Sequence, residues 1–214
     1  MLTKWKLAQK IEYRWWKKYL EKRDVTEYLK WKYNYWHVLL QSIYAFVDPP
    51  HGKTILDAGC GPAGIFMNLE GNTVHAMDPL LEKYKSFKHF LPERYPWTQF
   101  INSPLEDLNE VATYDLIFCM NAINHVNHID LCYDKMVKAL KPGGYLIIST
   151  DCHRNNFVKK IFQLIPGDVL HPIQLNILEY HEFLTKRNMK ILSDVIYKQE
   201  LIFNYHLSIS QKAS

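Results

Sequence analysis

Apolar and polar positions along residues 53–150 alternate between the two periods that distinguish strands from helices. Short apolar or β-rich runs occupy Thr54–Ala58, Thr73–Met77, Gln99–Asn102, Tyr114–Met120 and Gly144–Thr150. Helix-length amphipathic segments lie between these runs, for example Pro79–Leu91 and Ile129–Leu140. This alternation predicts an α/β fold in which helices cover both faces of a doubly wound, mostly parallel sheet.

The last two apolar runs follow each other with almost no linker. They cover Met189–Tyr197 and Gln199–Ile209. Within the second run the apolar side chains alternate strictly, at Leu201, Phe203, Tyr205, Leu207 and Ile209. Two strands joined so closely form a hairpin more readily than a crossover, so we expect a seven-stranded sheet that ends in an antiparallel hairpin.

The first forty residues differ from the rest of the chain in composition. They contain ten Lys or Arg, four acidic residues and five of the six tryptophans, whereas the whole chain has a net charge of only +4. Acids and bases are interspersed, and no glycine or proline precedes Pro49, which is typical of helices. We therefore expect residues 1–45 to form a helical lid or substrate cap and residues 46–214 to form the main domain.

Three interpretations of this basic aromatic segment remain open. Its rings wall an acceptor pocket in the first, as closing elements commonly do. In the second, Lys and Arg contact the phosphates of a nucleic acid while aromatic rings stack on its bases. In the third, the segment lies on an anionic membrane surface. A purely structural explanation is compatible with all three: the aromatic rings are part of the hydrophobic core, and the charged side chains face solvent.

Bulk composition narrows the protein class. A chain of 214 residues with 48% apolar content can bury one substantial domain with an appendage. No run approaches the ~18 apolar residues of a membrane span, and the charged N-terminus has no apolar signal core, so we expect a cytoplasmic protein. The four cysteines lack a C-x-x-C spacing, which favours reduced thiols over a metal site.

The sequence ILDAGCGPAG, residues 55–64, combines a buried strand with a glycine-rich turn. Gly59, Gly61 and Gly64 have the G-x-G-x-x-G spacing of nucleotide-binding turns. A diphosphate needs backbone N–H donors, yet Pro62 has none, and the Asp57 carboxylate would repel an anion. The same acid suits a ligand that carries an ammonium and a sulfonium, such as S-adenosylmethionine (SAM), which becomes S-adenosylhomocysteine after methyl transfer.

The next predicted strand ends in VHAMDP, at Asp78. A carboxylate at that position accepts hydrogen bonds from both hydroxyls of a ribose. This arrangement suits any adenosine-containing cofactor. The alternative role of Asp78 is to cap a helix that begins at Pro79.

Five motifs in order resemble those of Rossmann-like (class I) SAM-dependent methyltransferases. They are ILDAGCGPAG, VHAMDP, SPLEDL, YDLIFCMNAINHV and LKPGGYLIIST, and they span residues 53–150. Small-molecule methyltransferases such as the ubiquinone-pathway O-methyltransferases are the nearest resemblance, and the tail HPIQLNILEYHEFLTKRNMKIL is similar to their final helix and strand. The resemblance implies an enzyme that methylates a small organic acceptor with SAM.

The resemblance also implies which residues bind the cofactor. The methionine end would be held by Asp57, Gly59, Cys60 and Gly61. Asp78 would hold the ribose, with Met77 and Pro79 beside the adenosine. The adenine edge would be framed by Leu105 and Glu106. Asn121 would line the pocket near the methionine moiety.

Methyl transfer from a sulfonium needs a nucleophile in line with the S–CH₃ bond, and it needs a base only when the acceptor loses a proton. Imidazole titrates near neutral pH, so the candidate bases are His125 and His128, which follow the fourth strand, and His171 in the loop GDVLHPIQ. The alternative for each is a polar loop or capping histidine.

One departure from the family bears on metal binding. Ubiquinone-pathway enzymes have Glu-x-x-Glu-His where this chain has Asn121, Asn124 and His125. Loss of both carboxylates removes the charge that a hard cation prefers, so we expect no metal and disfavour a catechol acceptor. The segment also lacks the Asn/Asp-Pro-Pro-Tyr run of nucleobase N-methyltransferases. An RNA- or lipid-associated methyltransferase and a non-catalytic SAM-binding module remain the alternatives.

Overall fold

A seven-stranded sheet forms the centre of the molecule. The computed structural model describes residues 4–153, 175–199 and 203–214. The strands are β1 (Thr54–Ala58), β2 (Thr73–Met77), β3 (Thr98–Ile101), β4 (Tyr114–Met120), β5 (Leu140–His153), β6 (Met189–Gln199) and β7 (Phe203–Lys212). Their order is β3-β2-β1-β4-β5-β7-β6. The first five strands run parallel, and β7 is antiparallel to both β5 and β6. The predicted fold class is therefore confirmed.

The closing hairpin places β7 inside the sheet. Leu207 pairs with Ser149 on β5 and with Val195 on β6. Leu207 and Ile209 are buried on one face of the sheet, as their alternation in the sequence predicts. Gln199 belongs to the first strand of the hairpin and not to the second, where the apolar pattern had placed it.

The helices are α1 (Lys4–Leu20), α2 (Val25–Ile43), α3 (Leu81–Tyr84), α4 (Ile129–Ala139) and α5 (Ile177–Thr185). Asp24 ends the link between the first two helices, because its carboxylate accepts the N–H of Glu27 at 3.0 Å and caps α2. A reciprocal capping box between Asn176 and Glu179 begins α5. Within the described residues, no helix is long and apolar enough to cross a bilayer.

The helix predicted over Pro79–Leu91 is wrong beyond its first turn. Only Leu81–Tyr84 is α-helical, and the chain then continues in turns whose N–H groups bond to carbonyls three residues back, as in Phe87 to Tyr84 and Phe90 to Phe87. The rings of Tyr84, Phe87 and Phe90 are all buried in one core cluster. Their spacing of three suits a tighter winding than the α-helix, so packing of these rings overrides the amphipathic pattern.

The N-terminal helices share a hydrophobic core with the sheet. One core cluster joins Leu40 and Ile43 of α2 to Ile55, Phe118 and Ile147 of the strands. A second cluster, on the opposite face, packs α4 and α5 against β1, β4 and β5. The first two helices are thus an integral layer of the fold, and the domain boundary after residue 45 stays a prediction.

Candidate active site

A cavity of about 260 Å³ opens at the carboxyl ends of β1, β2 and β4, beneath the two N-terminal helices. Its wall is formed by residues 58–63, 77–79, 103–106, 120–122 and 125–126, together with side chains of α1 and α2. Ligands of parallel α/β sheets bind at this edge. Nine of the ten residues predicted to bind a cofactor lie on the wall, and only Asp57 does not.

The glycine turn is held against the end of β2 by its own backbone. The N–H groups of Gly59 and Cys60 both donate to the carbonyl of Met77, at 2.8 and 3.1 Å. The N–H of Gly61 donates to Oδ2 of Asp78 at 3.0 Å, and Pro62 has no N–H. All four positions are therefore unavailable as donors to a phosphate, which supports the choice of a cationic ligand over a diphosphate.

Two glycines make this close approach possible. Gly59 and Gly61 have φ of +75° and +59°, in the left-handed region that favours glycine. A Cβ on Gly59 would collide with the side chain of Ala122, which follows β4. Glycine at this position therefore lets the turn pack directly against the loop after β4.

Asp57 lies beneath the turn. It is 1% exposed, and its Oδ2 accepts the N–H of Phe66 at 3.1 Å. Burial raises the pKa of Asp57 to about 7. The carboxylate thus fixes the chain that follows the glycines, and its contact with the methionine end of a cofactor stays a prediction.

Asp78 receives backbone donors on both oxygens. Oδ2 accepts from Gly61, and Oδ1 accepts from the N–H of Leu80 at 2.8 Å. The bond to the residue two positions ahead is an Asx-turn, and the N-cap of α3 is Leu80, without a side-chain cap. The carboxylate therefore supports the turn that leads into α3, as the capping alternative predicts, although the helix itself begins at Leu81. Each oxygen keeps a second lone pair for a ribose hydroxyl, and burial raises the pKa of Asp78 to about 6.

Glu106 joins the adenine-side wall to the loop after β4. Its Oε1 accepts the N–H groups of Asn127 and His128, at 2.7 and 3.1 Å. Leu105 beside it is 7% exposed. The segment predicted to frame the adenine edge is thus on the cavity wall, and its contact with the base remains a prediction.

The three candidate histidines differ in their position relative to the cavity. His125 lies on the cavity wall, in the 3₁₀ turn Ile123–His125 that follows β4. His128 is off the wall and precedes α4, and its side chain does not cap that helix. His171 lies outside the described residues. Of the two histidines that can be placed, only His125 is positioned to meet a ligand in the cavity.

Asn121 stands where β4 ends. Its φ of +53° is in the left-handed region, which Asn tolerates better than most residues. Its backbone N–H is shared between the carbonyl and the hydroxyl of Ser149, at 2.9 and 3.0 Å. This double anchor fixes the backbone of Asn121 on the cavity wall, and its position near the methionine moiety of a cofactor stays a prediction.

Sequence reasoning did not identify which residues of α1 and α2 reach the cavity. They are Trp5, Gln9, Glu12 and Trp16 of α1 and Lys32 and Trp36 of α2. The four in α1 are spaced by four, three and four residues, the signature of one helix face, so the pattern was available as a signal. The indole N–H of Trp36 donates to the carbonyl of Ala63 at 2.9 Å and fastens α2 to the glycine turn.

Glu12 of α1 and Lys32 of α2 place ionisable side chains on the cavity wall. Burial, assisted by the nearby charge of Asp78, raises the pKa of Glu12 to about 8. Burial also lowers the pKa of Lys32 to about 8, against the attraction of Asp57. The cavity therefore contains more buried carboxyl groups than cations, a balance that favours a ligand with positive charge.

Comparison with known proteins agrees with this geometry. Residues 56–148 match the family described as methyltransferase domain. The ubiquinone biosynthesis O-methyltransferase of Rickettsia bellii is 29% identical over 181 residues, which cover 82% of this chain and 72% of that protein.

Solved structures show the same fold. The 1,6-didemethyltoxoflavin-N1-methyltransferase of Burkholderia thailandensis, with bound S-adenosylhomocysteine, has a TM-score of 0.65 at 16% identity and covers 100% of this chain and 92% of its own. The phosphoethanolamine N-methyltransferase 2 of Haemonchus contortus, in complex with SAM, has a TM-score of 0.66 at 16% identity. The match covers 84% of this chain and 53% of that protein.

Proposed function

We propose that this chain, a class I SAM-dependent methyltransferase, methylates an oxygen or nitrogen of a small organic acceptor, a biosynthetic intermediate. The observation that carries the proposal is the composition of the cavity wall. At one end is Asp78, a carboxylate that could accept hydrogen bonds from ribose hydroxyls, and at the other end are His125 and Asn121. The relatives of similar sequence are named as O-methyltransferases of ubiquinone biosynthesis, which favours a small acceptor of this kind.

The residues of the cavity fit SAM as cofactor. When bound, SAM supplies a methyl group activated by its sulfonium. Asp78 would accept hydrogen bonds from the ribose hydroxyls, and the positive-φ turn at Gly59 and Gly61 would let the backbone approach the methionine end. Buried carboxyl groups next to the turn would favour the positive charge of the ligand.

The lid's part in the reaction is to position ligands and exclude water. Trp16 and Trp36 lie on the cavity wall opposite the sheet edge. Holding acceptor and methyl donor in line can contribute several kcal/mol of the barrier, roughly 7–11 in well-oriented systems. Apolar rings over the site also strengthen the electrostatic interactions inside it.

His125 is the proposed general base. An acceptor O–H loses its proton as the new bond to the methyl group forms, whereas a protonated amine must lose its proton before its nitrogen can attack. A neutral imidazole on the wall can take the proton in either case. His128 has no such position, because it lies off the wall. The amide side chain of Asn121 would hold the acceptor or the methionine moiety beside this base.

The direct test is cofactor binding followed by turnover. Calorimetric titration with SAM and S-adenosylhomocysteine should give saturable binding, whereas NAD and ATP should give none, since the N–H groups of the turn are already bonded. Incubation with SAM and a panel of phenols, amines and carboxylic acids should then produce an acceptor heavier by one methylene. Uptake of NAD or ATP in place of SAM would refute the proposal.

A second candidate is methylation at an anionic lipid surface. Trp15 and Trp31 are 47% and 50% exposed on the outer side of the lid. Lys18 and Lys22 lie with Trp15 along a shallow groove. Binding to vesicles that contain phosphatidylglycerol, weakened by salt and by Trp15→Ala, would support this candidate. Binding to RNA in their place would assign the surface to nucleic acid.

A further inference from the structure

Beyond Asn121, polar side chains from four elements converge on the lid side of the sheet. Asn121 receives the hydroxyl of Ser149 on its Oδ1 at 3.2 Å. The Tyr197 hydroxyl, from β6, lies 3.4 Å from both side-chain ends of the same amide. Tyr35 of α2 is half-buried nearby, and burial together with the neighbouring Tyr197 raises its pKa. Asn121 lines the cavity, and Ser149 and Tyr197 adjoin it on strands that lie on the side of β4 away from β2 and Asp78.

Strand register adds a carboxylate to this group. Alternate residues of a strand point to the same face, so Asp151 follows Ser149 on the lid side of β5. It pairs across the sheet with Tyr205 of β7. The ring of Tyr205 lies 6.2 Å from that of Tyr197. Asp151 is therefore next to a pair of phenol rings that leads back to Asn121.

A buried amide holds Asp151 in place. Nδ2 of Asn124 donates to Oδ1 of Asp151 at 2.6 Å, although the two residues belong to different strand ends. Asn124 is 2% exposed, and its own Oδ1 has no hydrogen-bond partner in the described part of the chain. Burial of an unpaired acceptor is costly, by roughly 1–3 kcal/mol, so this atom is suited to receive a donor from a ligand.

The chemistry of the cluster is that of hydrogen-bond acceptors among aromatic rings. Within the described ranges, no hydrogen bond reaches the second oxygen of Asp151. The two lysines that contact these rings lie over ring faces, Lys32 at 5.3 Å from the centre of Tyr35 and Lys198 at 4.7 Å from that of Tyr205. A ligand for this place therefore needs a flat apolar body and at least one O–H or N–H donor.

We propose that Asp151, held by Asn124, binds the methyl acceptor and accepts a hydrogen bond from an O–H or N–H group of a small aromatic compound. The inference rests on the proposed function and names the substrate class and a residue that selects it. Tyr35 and Tyr197 enclose the ring of the acceptor, and Asn121 lies between this subsite and the cofactor. Asp151 is a binding residue in this scheme, and His125 remains the base.

The test uses the whole chain saturated with S-adenosylhomocysteine and three probes of one shape. The probes are 4-methylphenol, 4-methylaniline and 4-methylanisole, of which only the last has no donor. Dissociation constants from NMR titration should be about tenfold lower for the two donors, since a hydrogen bond to a charged group contributes roughly 1.5–3 kcal/mol. In Asp151→Asn the three values should come within about twofold, with the affinity for S-adenosylhomocysteine unchanged.

The matched control is Asp194→Asn, which alters a half-buried carboxylate of β6 that bonds His181 and His206. It should keep the preference for donors. If Asp151→Asn fails to fold, as judged by thermal melting, Asp151→Ser replaces it with the same expected loss.

Equal affinities for all three probes in the wild-type protein, no binding of any probe, or a preference that survives both Asp151 substitutions would overturn the inference. Failure of S-adenosylhomocysteine to bind would overturn the proposed function instead.

Discussion

The two ends of the cavity hold their polar groups by different means. At the cofactor end, Asp78 and Glu106 are fixed by backbone N–H groups of adjoining turns. At the proposed acceptor end, Asn121 is bonded by side chains of β5 and β6, and beside the cavity Asn124 and Asp151 bond each other. Backbone donors persist through most substitutions, whereas side-chain partners change with one. We therefore expect substitutions to change the geometry of the cofactor end less than that of the proposed acceptor end, where a single change can alter specificity.

The two ends also differ in charge. At or beneath the proposed cofactor end are three carboxyl groups whose pKa values are raised mainly by burial, Asp57 to about 7, Asp78 to about 6 and Glu12 to about 8. Burial of a carboxylate without a cation is unfavourable, and Lys32 is the residue of opposite charge on that wall. A positively charged cofactor would relieve this cost. The acceptor end contributes hydrogen bonding in place of charge balance.

The largest expected effect of a single change is at the cofactor end. Asp78→Ala removes the proposed acceptor of two ribose hydroxyls and the anchor of the Gly61 N–H. We expect the affinity for SAM to fall about 100-fold or more, because two hydrogen bonds to a charged group are lost. Calorimetry measures the change. Asp107→Ala, which removes an exposed acid near the same wall, should have no effect, and an unchanged affinity in Asp78→Ala would refute the assigned role.

His125→Ala tests the reacting end. A general base contributes typically 10²–10⁴-fold, so turnover should fall about 100-fold while the affinity for SAM changes little. His128→Ala is the matched control and should retain the wild-type rate, because its side chain is off the cavity wall. If the rate of His125→Ala equals that of the wild-type at every pH, His125 is a loop residue without a role in proton transfer.

The cofactor end could be predicted from the sequence because its determinants are local. Each motif puts a few residues at the end of one strand, so Gly59, Asp78 and Glu106 reach the wall once the strand order is known. The acceptor end could not be predicted this way. Tyr197 meets Asn121 across 76 residues of sequence, and such a contact depends on the register of the hairpin and the inserted β7.

Packing also decided features that periodicity could not. The amphipathic stretch after Asp78 has a helical pattern, yet the rings of Tyr84, Phe87 and Phe90 fold it into tighter turns. In the lid, the aromatic count indicated a pocket or a core, and both interpretations apply to different rings. Trp36 lies on the cavity wall while Trp31 stays half exposed.

The pH dependence of cofactor binding should follow the ionisation of Asp78. In the proposed role, Asp78 accepts hydrogen bonds from both ribose hydroxyls as an ionised carboxylate, and its pKa is about 6. Affinity for SAM should therefore be full well above pH 6 and fall as the pH drops through 6, by about tenfold per unit below it. Calorimetry between pH 5 and pH 8 measures the profile. Asp78→Asn should have a weaker affinity with a flatter profile, and a wild-type affinity that rises on acidification would contradict the assignment.

The smallest expected effect lies on the far side of the sheet from the cavity. Burial alone would raise the pKa of Asp194, but hydrogen bonds from His206, Ser208 and His181 lower it below its usual value. A carboxyl group with a lowered pKa stabilises the fold above its unfolded value near 4, and that stability is lost as the pH falls through the folded value.

Asp194→Asn should therefore reduce the free energy of unfolding at pH 7 by about 1 kcal/mol. The difference from wild type should shrink in acid, and urea denaturation at pH 7 and pH 3.5 measures both values. Affinity for SAM should not change, because the pair formed with His181 and His206 faces α5 and not the lid. A large loss of SAM affinity in this variant would show that the hairpin couples the two faces of the sheet. Cofactor binding would then depend on residues outside the cofactor end of the cavity.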